Sequence, residues 1–140
     1  MRTRTEIKIR GYHTDRFGHV NHARYVEFLE EGRWSYFEKN RLMGPFHEAG
    51  IGHVVANLNI NYRRPATVGD IVRVETDIMS VGDKRVIMRQ EIFKDEGHTL
   101  ILDALVTDVF IDARTEKVIP VDDRIFNIWA DLRDKGNSSE

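Results

Sequence analysis

The composition of this 140-residue chain favours one globular domain and excludes several kinds of site. Hydrophobic residues make up 41% of the chain and charged residues 31%, which is unlike the composition of disordered proteins. The formal net charge is -2, so the overall charge does not favour binding to nucleic acid or to an anionic membrane. Cysteine is absent, which excludes disulfides, thiolate metal sites and a cysteine nucleophile.

The N-terminal segment alternates charged and apolar residues and lacks the apolar stretch of a secretory signal. No part of the sequence reaches the roughly 20 apolar residues that a membrane-spanning helix needs. We therefore expect a cytoplasmic protein with no membrane insertion and no nucleic-acid partner.

The first predicted elements are a short strand and a long helix. Residues 6–10 alternate, with Ile7 and Ile9 on one side, which predicts a strand. Residues 22–40 contain no proline and carry apolar side chains around much of the circumference, so we expect a largely buried helix. Gly32 lowers helix propensity by about 1 kcal/mol relative to alanine, and we expect a close approach to another backbone there.

A glycine- and proline-containing segment, residues 44–52, is predicted to be a loop, and a strand follows it. Residues 54–63 alternate between an apolar face and a mostly polar face that carries Asn57, Asn59 and Asn61. Proline cannot donate to a sheet ladder, so Pro65 ends this strand. We expect the asparagine face to lie towards solvent or another subunit.

Three more strands are predicted over residues 71–81, 85–94 and 99–111, with hairpin turns at 82–83 and 96–97. Residues 118–119 form a short strand end. Asp122 is a candidate cap for one last helix, whose apolar residues are Ile125, Phe126, Trp129 and Leu132. Residues 135–140 are predicted to be a frayed polar tail.

This order of elements predicts an α+β architecture, an antiparallel sheet with one helix on it. A sheet that curls around one helix leaves a face or an edge strand uncovered, which favours a homo-oligomer. The sequence shows no internal repeat or linker, so residues 1–140 are assigned to a single domain.

Residues 12–25, YHTDRFGHVNHARY, contain the densest set of chemically active side chains. Asp15, His19 and Asn21 stand in a glycine-containing loop that leads into the long helix at His22. The first amides of a helix lack intrahelical partners and its dipole favours negative charge, so this position suits an oxyanion. Asp15 is then placed to act as a nucleophile or as a general base towards water, and a turn cap is the alternative.

The neighbours of Asp15 have competing roles. Asn21 can cap the helix or position a water molecule. His19 can be a hydrogen-bonded structural residue or a group that positions substrate. His19 and His22 are three residues apart, but no third ligand stands at helical spacing, so we expect no metal site.

Two motifs together carry a family resemblance. Asp15, then GHVN at 18–21 and a helix with Ala23, Tyr25 and Glu31, resembles the 4-hydroxybenzoyl-CoA thioesterase-like branch of the hotdog-fold family. YRRPA at 62–66 and VGD at 68–70 resemble the family's second motif. The resemblance runs from residue 7 to about residue 120. It implies an antiparallel sheet wrapped around one long central helix, dimers or tetramers, and hydrolysis of a fatty or aromatic acyl-CoA to the free acid and CoA, without a metal or other cofactor.

The resemblance also implies catalytic roles. The family's catalytic aspartate falls on Asp15, and its carbonyl-polarising backbone amide falls on His22. The related plant thioesterases that act on acyl carrier protein have Asp, Asn and His at alternate positions, here Asp15, Phe17 and His19. Phe17 departs from that pattern, so the mechanism is assigned to Asp15. The resemblance leaves open whether the thiol is CoA or acyl carrier protein.

Substrate contacts are also predicted. Glu31 is a candidate for the active cleft, since some hotdog enzymes use a carboxylate on this helix. Phosphates of CoA need charge-assisted hydrogen bonds from basic side chains. The candidates for that role are Arg63, Arg64, Lys84, Arg85 and Arg89.

Two alternative functions stay open. A hotdog acyl-CoA dehydratase or hydratase pairs a histidine with a carboxylate, and His19 with Glu31 resembles that pair. Dehydratase motifs place a proline near the histidine, however, and residues 1–43 contain none. The other alternative is a non-catalytic acyl-CoA-binding protein. The sequence does not specify the acyl group.

Overall fold

The computed structural model describes residues 2–138 and the side chains of residues 2–135. Its elements in chain order are β1 (Thr3–Lys8), α1 (His22–Lys39), α2 (Met43–Glu48), β2 (Ile51–Tyr62), β3 (Ile71–Val81), β4 (Arg85–Lys94), β5 (Thr99–Asp112), β6 (Val118–Ile119), α3 (Asp123–Ile128) and α4 (Asp131–Ser138). Single turns of 3₁₀ helix lie at Gly11–His13 and Glu96–His98.

The strands form one antiparallel sheet in the order β1-β3-β4-β5-β2, with β6 paired to β5. The long helix α1 packs on one face of this sheet against β1 and β3. The predicted α+β class, an antiparallel sheet with one long helix on it, is therefore confirmed. In this sheet β1 and β2 are the edge strands, so one side of the 12-residue strand β2 is left unpaired within the chain.

The core between α1 and the sheet divides into two hydrophobic clusters along the helix. The cluster at the N-terminal half of α1 includes Ile9, Tyr25, Phe28, Leu29, Val72, Val74, Ile92 and Leu102. The cluster at the C-terminal half includes Tyr36, Phe37, Phe46, Met88, Val106, Phe110, Ile125 and Trp129. Both ends of α1 are thus fixed to the sheet by apolar packing.

The start of α1 agrees with the sequence prediction, but its burial is less complete than expected. Asn21 is the N-cap, and its side chain accepts a hydrogen bond from the Ala23 amide at 2.9 Å. The expectation of a largely buried helix is wrong for Val26 and Trp34, which are 38% and 49% exposed. The sheet covers one side of α1 only, so apolar residues on the other side stay accessible within the chain.

Gly32 marks a close approach between α1 and the sheet. A Cβ atom at this position would lie 2.5 Å from Val74 Cγ1, 3.0 Å from Gln90 Nε2 and 3.1 Å from Thr76 Oγ1. The approach is to side chains of β3 and β4, not to another backbone as expected. Glycine is needed at position 32 because any side chain would collide with this part of the sheet.

The central strands match their predicted bounds, and the edge strands differ. β3 and β4 begin and end as predicted, and β5 runs one residue further. β1 spans Thr3–Lys8 rather than residues 6–10, because the Ile9 amide leaves the ladder and donates to the Asp70 carbonyl at 2.8 Å. β2 begins at Ile51 and has a register shift between Val55 and Asn57. Such a bulge bends the strand locally.

The polar face of β2 is exposed, as the alternation predicts. Asn57, Asn59 and Asn61 are all accessible to solvent in the chain. Asn61 also donates to Asp103 Oδ1 at 3.0 Å, which ties this face to β5.

Two predictions for the short helices are wrong. The segment at residues 44–52 is not all loop, because α2 occupies Met43–Glu48; Pro45 stands in its first turn, where helix amides need no intrahelical partner. The predicted single C-terminal helix is two, α3 and α4, separated near Trp129, whose φ and ψ of -120° and 78° are not helical. The Trp129 indole donates to the Tyr36 hydroxyl at 3.3 Å in the core, which favours this break.

Two further expectations concern the C-terminal region. Asp122 caps α3 as predicted, accepting from the Arg124 amide at 3.1 Å. Of the predicted frayed tail, the backbone of residues 135–138 belongs to α4, and residues 139–140 lie outside the described residues. Within residues 2–138 no helix is long and apolar enough to cross a membrane.

Replacing Gly32 with alanine tests the close approach of α1. Overpacking costs about 1–3 kcal/mol, which exceeds the roughly 1 kcal/mol that alanine gains in helix propensity. We expect the free energy of unfolding, measured by urea denaturation, to fall by up to about 2 kcal/mol. Gly44→Ala is the control, because a Cβ there meets nothing within 4 Å. Equal stability of the two variants would contradict the packing argument.

Candidate active site

A tight turn positions Asp15 just before α1. The Asp15 amide donates to the His19 carbonyl at 2.8 Å, and the Gly18 amide donates to the Asp15 carbonyl at 3.0 Å. Gly18 has a φ of +79°, the left-handed conformation that glycine adopts most easily. Asp15 Oδ1 accepts hydrogen bonds from the Phe17 amide at 2.8 Å and the His19 amide at 3.3 Å. The turn cap considered from the sequence is therefore present.

This cap leaves half of the carboxylate available. Within the described part of the chain, no hydrogen bond reaches Asp15 Oδ2. The Asp15 side chain is exposed, so Oδ2 is accessible to a reactant. One oxygen thus fixes the orientation of the carboxylate and the other is free for chemistry.

His13 anchors the loop from inside the protein. Its Nδ1 accepts from the Arg10 amide at 2.8 Å, and its carbonyl accepts from the Asn21 amide at 2.9 Å. Burial, together with Arg24, lowers the pKa of His13. Its neutral imidazole is the form that can accept the Arg10 hydrogen bond, so the ring holds the loop in place as a structural group.

The first backbone amide of α1 belongs to His22. Asn21 Oδ1 is used by the Ala23 amide, and the Arg24 amide donates to the Asn21 carbonyl at 2.9 Å. Among the described residues, the His22 amide has no hydrogen-bond partner. The Tyr62 hydroxyl donates to the His22 carbonyl at 3.0 Å and fixes the helix start against the end of β2. A fixed, unpaired amide at a helix start can stabilise a developing oxyanion.

The other predicted residues of this loop and helix lie in different surroundings. His19 is exposed, and its backbone forms an isolated bridge with Thr67. Glu31 is exposed on α1, about 14 Å along the helix axis from His22. Within one chain the fold therefore keeps Glu31 away from the start of α1.

The predicted basic residues do not form one patch within the chain. The Arg63 and Arg64 amides both donate to the Ile101 carbonyl, whereas Arg85 pairs with Val109 in the sheet. Eight residues of β5 separate these points, which is about 27 Å. Arg63 Nε also binds Asp103 Oδ2 at 2.8 Å, and this ion pair raises the pKa of the guanidinium. Lys84 is exposed in the turn beside Arg85, and Arg89 lies near Glu91 at 3.7 Å.

A cavity of about 500 Å³ lies at the other end of α1, between this helix, α2 and the start of β2. Its apolar walls are Trp34, Phe37, Met43, Phe46, Ile51, Val54 and Val55. Its polar residues are Glu30, Arg33, His47, His53 and Asp108. Sequence reasoning did not predict this cavity, and Glu30, rather than Glu31, is the helix carboxylate that lines it.

Asp108 is the unusual residue of the cavity. It lies on β5 in the row of core-facing residues with Val106 and Phe110, and only 3% of it is exposed. Its Oδ1 has no hydrogen-bond partner among the described residues. Burial raises the pKa of Asp108 to about 6, although Arg33 opposes the shift. The sequence signal was available, because alternation along residues 99–111 places this carboxylate on the apolar face.

A buried network holds Arg33 beside this carboxylate. Arg33 Nη1 donates to Gln90 Oε1 at 3.0 Å, and Gln90 Nε2 donates to the Leu29 carbonyl and to Thr76 Oγ1, both at 2.9 Å. Gln90 is fully buried, so its amide is fixed on both sides. No ion pair shorter than 4.0 Å joins Arg33 to Asp108 in the described chain, although their charges interact.

His53 stands at the mouth of the cavity. The centroid of its ring is 4.4 Å from that of Phe37, and the side chain keeps access to solvent. Desolvation by the surrounding walls, with a contribution from Arg33, lowers the pKa of His53. Its ring is therefore held in the neutral form at neutral pH, as a polar but uncharged part of the wall.

The comparisons with known proteins identify the family. The profile of the thioesterase-like superfamily matches residues 9–128. The chain belongs to this superfamily. The long-chain acyl-CoA thioesterase FadM of Escherichia coli (strain K12) is 41% identical over 118 residues, covering 84% of this chain and 89% of FadM.

Solved structures agree with this membership of the thioesterase-like superfamily. The YbaW probable thioesterase from Escherichia coli matches with a TM-score of 0.86 and 37% identity, covering 92% of this chain and 97% of that one. The DHNA-CoA thioesterase from Staphylococcus aureus matches with a TM-score of 0.82 and 27% identity, covering 96% and 89%. The predicted hotdog fold and thioester hydrolase class are thereby confirmed.

This thioesterase-like chain offers no metal site in the residues described. No group of three or more His, Cys, Asp or Glu side chains there could hold a metal ion.

The buried carboxylate should lower stability above its pKa. The Asp108 pKa is raised from 3.8 to about 6, so the folded state binds more protons between these values and ionisation disfavours folding. We expect Asp108→Asn to increase the free energy of unfolding by up to about 3 kcal/mol at pH 8, with no gain below about pH 4. Urea denaturation at both pH values measures this.

The matched control is Asp103→Asn on the same strand. The pKa of Asp103 is lowered by its hydrogen bond to Arg63, so its ionised form favours folding. Removing that charge should bring no gain at pH 8. A less stable Asp108→Asn protein at pH 8 would contradict the assignment of Asp108 as an uncompensated buried carboxylate.

Proposed function

We propose that this chain hydrolyses long-chain acyl-CoA to a free fatty acid and CoA, with Asp15 as the catalytic carboxylate. The observation that carries the proposal is that two groups lie at the start of α1: a fixed carboxylate, one oxygen of which is free, and the unpaired helix amide of His22. The similarity to FadM supports a long-chain acyl-CoA as substrate. We also propose a cytoplasmic location, because the N-terminal segment lacks the apolar stretch of a secretory signal.

The proposed mechanism uses these two groups at the thioester. The His22 amide donates to the carbonyl oxygen and stabilises the negative charge that develops there. Asp15 either attacks the carbonyl carbon, giving an anhydride that water then hydrolyses, or takes a proton from an attacking water molecule. In both routes the carbon–sulfur bond breaks, CoA leaves as the thiolate, and the acid is released.

The geometry of one chain leaves the site incomplete. Asp15 and the cavity belong to opposite ends of α1, and His22 and Trp34 are about 18 Å apart along its axis. The unpaired edge of β2 offers a way to close this distance. If two copies pair along this edge in antiparallel fashion, the end of β2 at Tyr62 in one copy meets the start of β2 in the other.

We therefore propose a homodimer in which each site combines two subunits. Asp15 and the His22 amide of one subunit would act on a thioester whose acyl chain enters the cavity of the other. The same pairing would bring Arg63 and Arg64 of one subunit to the end of the sheet where Lys84 and Arg85 of the other lie. These basic residues, apart in one chain, would then share the CoA phosphates.

The dehydratase alternative is less well supported than hydrolysis. It needs a histidine beside a carboxylate, and within one chain Glu31 lies about two and a half α-helical turns from the helix start while His19 precedes it. The alternative role of Asn21, positioning a water molecule, is also less well supported, because its side-chain oxygen accepts the cap hydrogen bond from the Ala23 amide. A binding protein without turnover would need neither a fixed carboxylate nor an unpaired amide at the start of α1.

Replacing Asp15 with asparagine tests the proposed mechanism. The amide keeps the size of the side chain and can still accept from the Phe17 and His19 amides, but it is a poor nucleophile and a poor base. We expect kcat on a long-chain acyl-CoA to fall by about 10²–10⁴-fold, with a near-normal binding constant measured by calorimetry. Such a pattern marks an interaction made in the transition state.

The comparison variant for this test is Glu31→Gln, which replaces an exposed carboxylate about 14 Å along α1 from His22 in the same chain. It should keep most of its activity. If Asp15→Asn keeps near-full turnover while Glu31→Gln abolishes it, the helix carboxylate is the catalyst and the proposed site is wrong.

The proposed dimer is tested by the mass of the protein in dilute solution. One chain has a mass of 16.3 kDa. Multi-angle light scattering should give a dimer or tetramer at concentrations where the enzyme is active. A stable and active monomer would exclude a site shared between subunits.

A further inference from the structure

The cavity between α1, α2 and β2 contains polar groups that an unbranched hydrocarbon chain does not need. Trp34, Phe37, Phe46 and Ile51 give it apolar walls that suit such a chain. Asp108 interrupts these walls with a carboxylate that is 97% buried, with Oδ1 unpaired among the described residues. Buried polar atoms are normally hydrogen-bonded, so an unpaired one in a cavity wall indicates a ligand group.

Asp108 lies beside an irregular part of β2 that also lines the cavity. Asp108 pairs with Val55 of β2, and the register shift of β2 lies immediately after Val55. A bulge bends the strand that carries it, and bulges are common beside binding sites. Val55 and Asp108 both line the cavity, so the irregular part of β2 belongs to its wall.

Arg33 limits which kind of ligand group can pair with Asp108 Oδ1. Its guanidinium is held by Gln90 and has further N–H donors, while Asp108 presents an acceptor. A cationic ligand group would be repelled by Arg33, and an anionic group would be repelled by Asp108. A neutral hydroxyl can donate to one and accept from the other, so it satisfies both.

We propose that Asp108 and Arg33 select acyl chains that carry a hydroxyl group, with Asp108 Oδ1 accepting the hydroxyl hydrogen. Asp108 is then a specificity-determining residue and takes no part in the hydrolysis itself. This inference rests on the proposed acyl-CoA thioesterase function, which makes the cavity the acyl site.

The test compares dodecanoyl-CoA with its hydroxydodecanoyl-CoA isomers, in which the hydroxyl moves from the middle of the chain to its end. We expect one or more isomers to exceed the plain chain in kcat/KM by more than about 10-fold, because a site built to bind a hydroxyl discriminates against its absence. Calorimetric titration with the free acids of the same series should show the same order without depending on turnover.

Two variants assign the preference to Asp108. Asp108→Val removes the acceptor, suits a strand and continues the apolar row, and it should reduce the ratio of hydroxylated to plain substrate to about one. Asp108→Asn keeps a carbonyl acceptor of the same shape and should retain part of the preference. Circular dichroism confirms that both variants are folded before the ratios are compared.

Several results would overturn the inference. The first is a wild-type enzyme whose kcat/KM for the plain chain equals that for every hydroxylated isomer. The second is an undiminished preference for the hydroxylated substrate in Asp108→Val. The third is a greater preference for a hydroxyphenyl acyl-CoA than for all the aliphatic isomers. Loss of the dimer in Asp108→Val, with an unchanged ratio, would instead assign Oδ1 to the subunit interface. Failure of the proposed function is distinct, because the wild-type enzyme would then hydrolyse none of these thioesters.

Discussion

The close approach of α1 to the sheet at Gly32 is the constraint on which both ends of the site depend. Without a side chain at this position, the helix comes near enough for Gln90 to reach the Leu29 carbonyl and to hold the Arg33 guanidinium. Because α1 is one continuous helix, this contact also limits where its first turn, with the His22 amide, can lie relative to the sheet. A single glycine thus relates the position of the His22 amide to that of the cavity, although they lie at opposite ends of α1.

The two ends of α1 are built on different physical principles. At its start, the geometry is set mainly by backbone groups. A tight turn holds Asp15 through backbone amides, and a cap fixes the first amide of the helix. At its other end, apolar and charged side chains line the same cavity. Burial of the Asp108 carboxylate among apolar neighbours costs solvation free energy. A buried carboxylate of this kind lowers stability, and proteins commonly retain such a group where a site needs it.

The sequence predicts the first of these ends better than the second. Asp15, Asn21 and His22 are close along the chain, so their relation follows from local rules about turns and helix caps, and the predicted strands followed from alternation. The cavity depends on how α1, α2 and β2 pack, and α2 was missed because Gly44 and Pro45 were interpreted as a loop. Asp108 and Gln90 both stand at core-facing positions of predicted strands, which marks them as polar exceptions but does not reveal that they flank Arg33.

The two tryptophans of the chain occupy opposite environments, and this has a spectroscopic consequence. Trp129 is buried in the aromatic cluster with Phe37 and Phe46, whereas Trp34 is 49% exposed in the cavity wall. Their emission therefore divides into a blue-shifted component from the core and a red-shifted component from the cavity mouth. One fluorescence spectrum can then follow the occupancy of the cavity and the integrity of the core as separate signals.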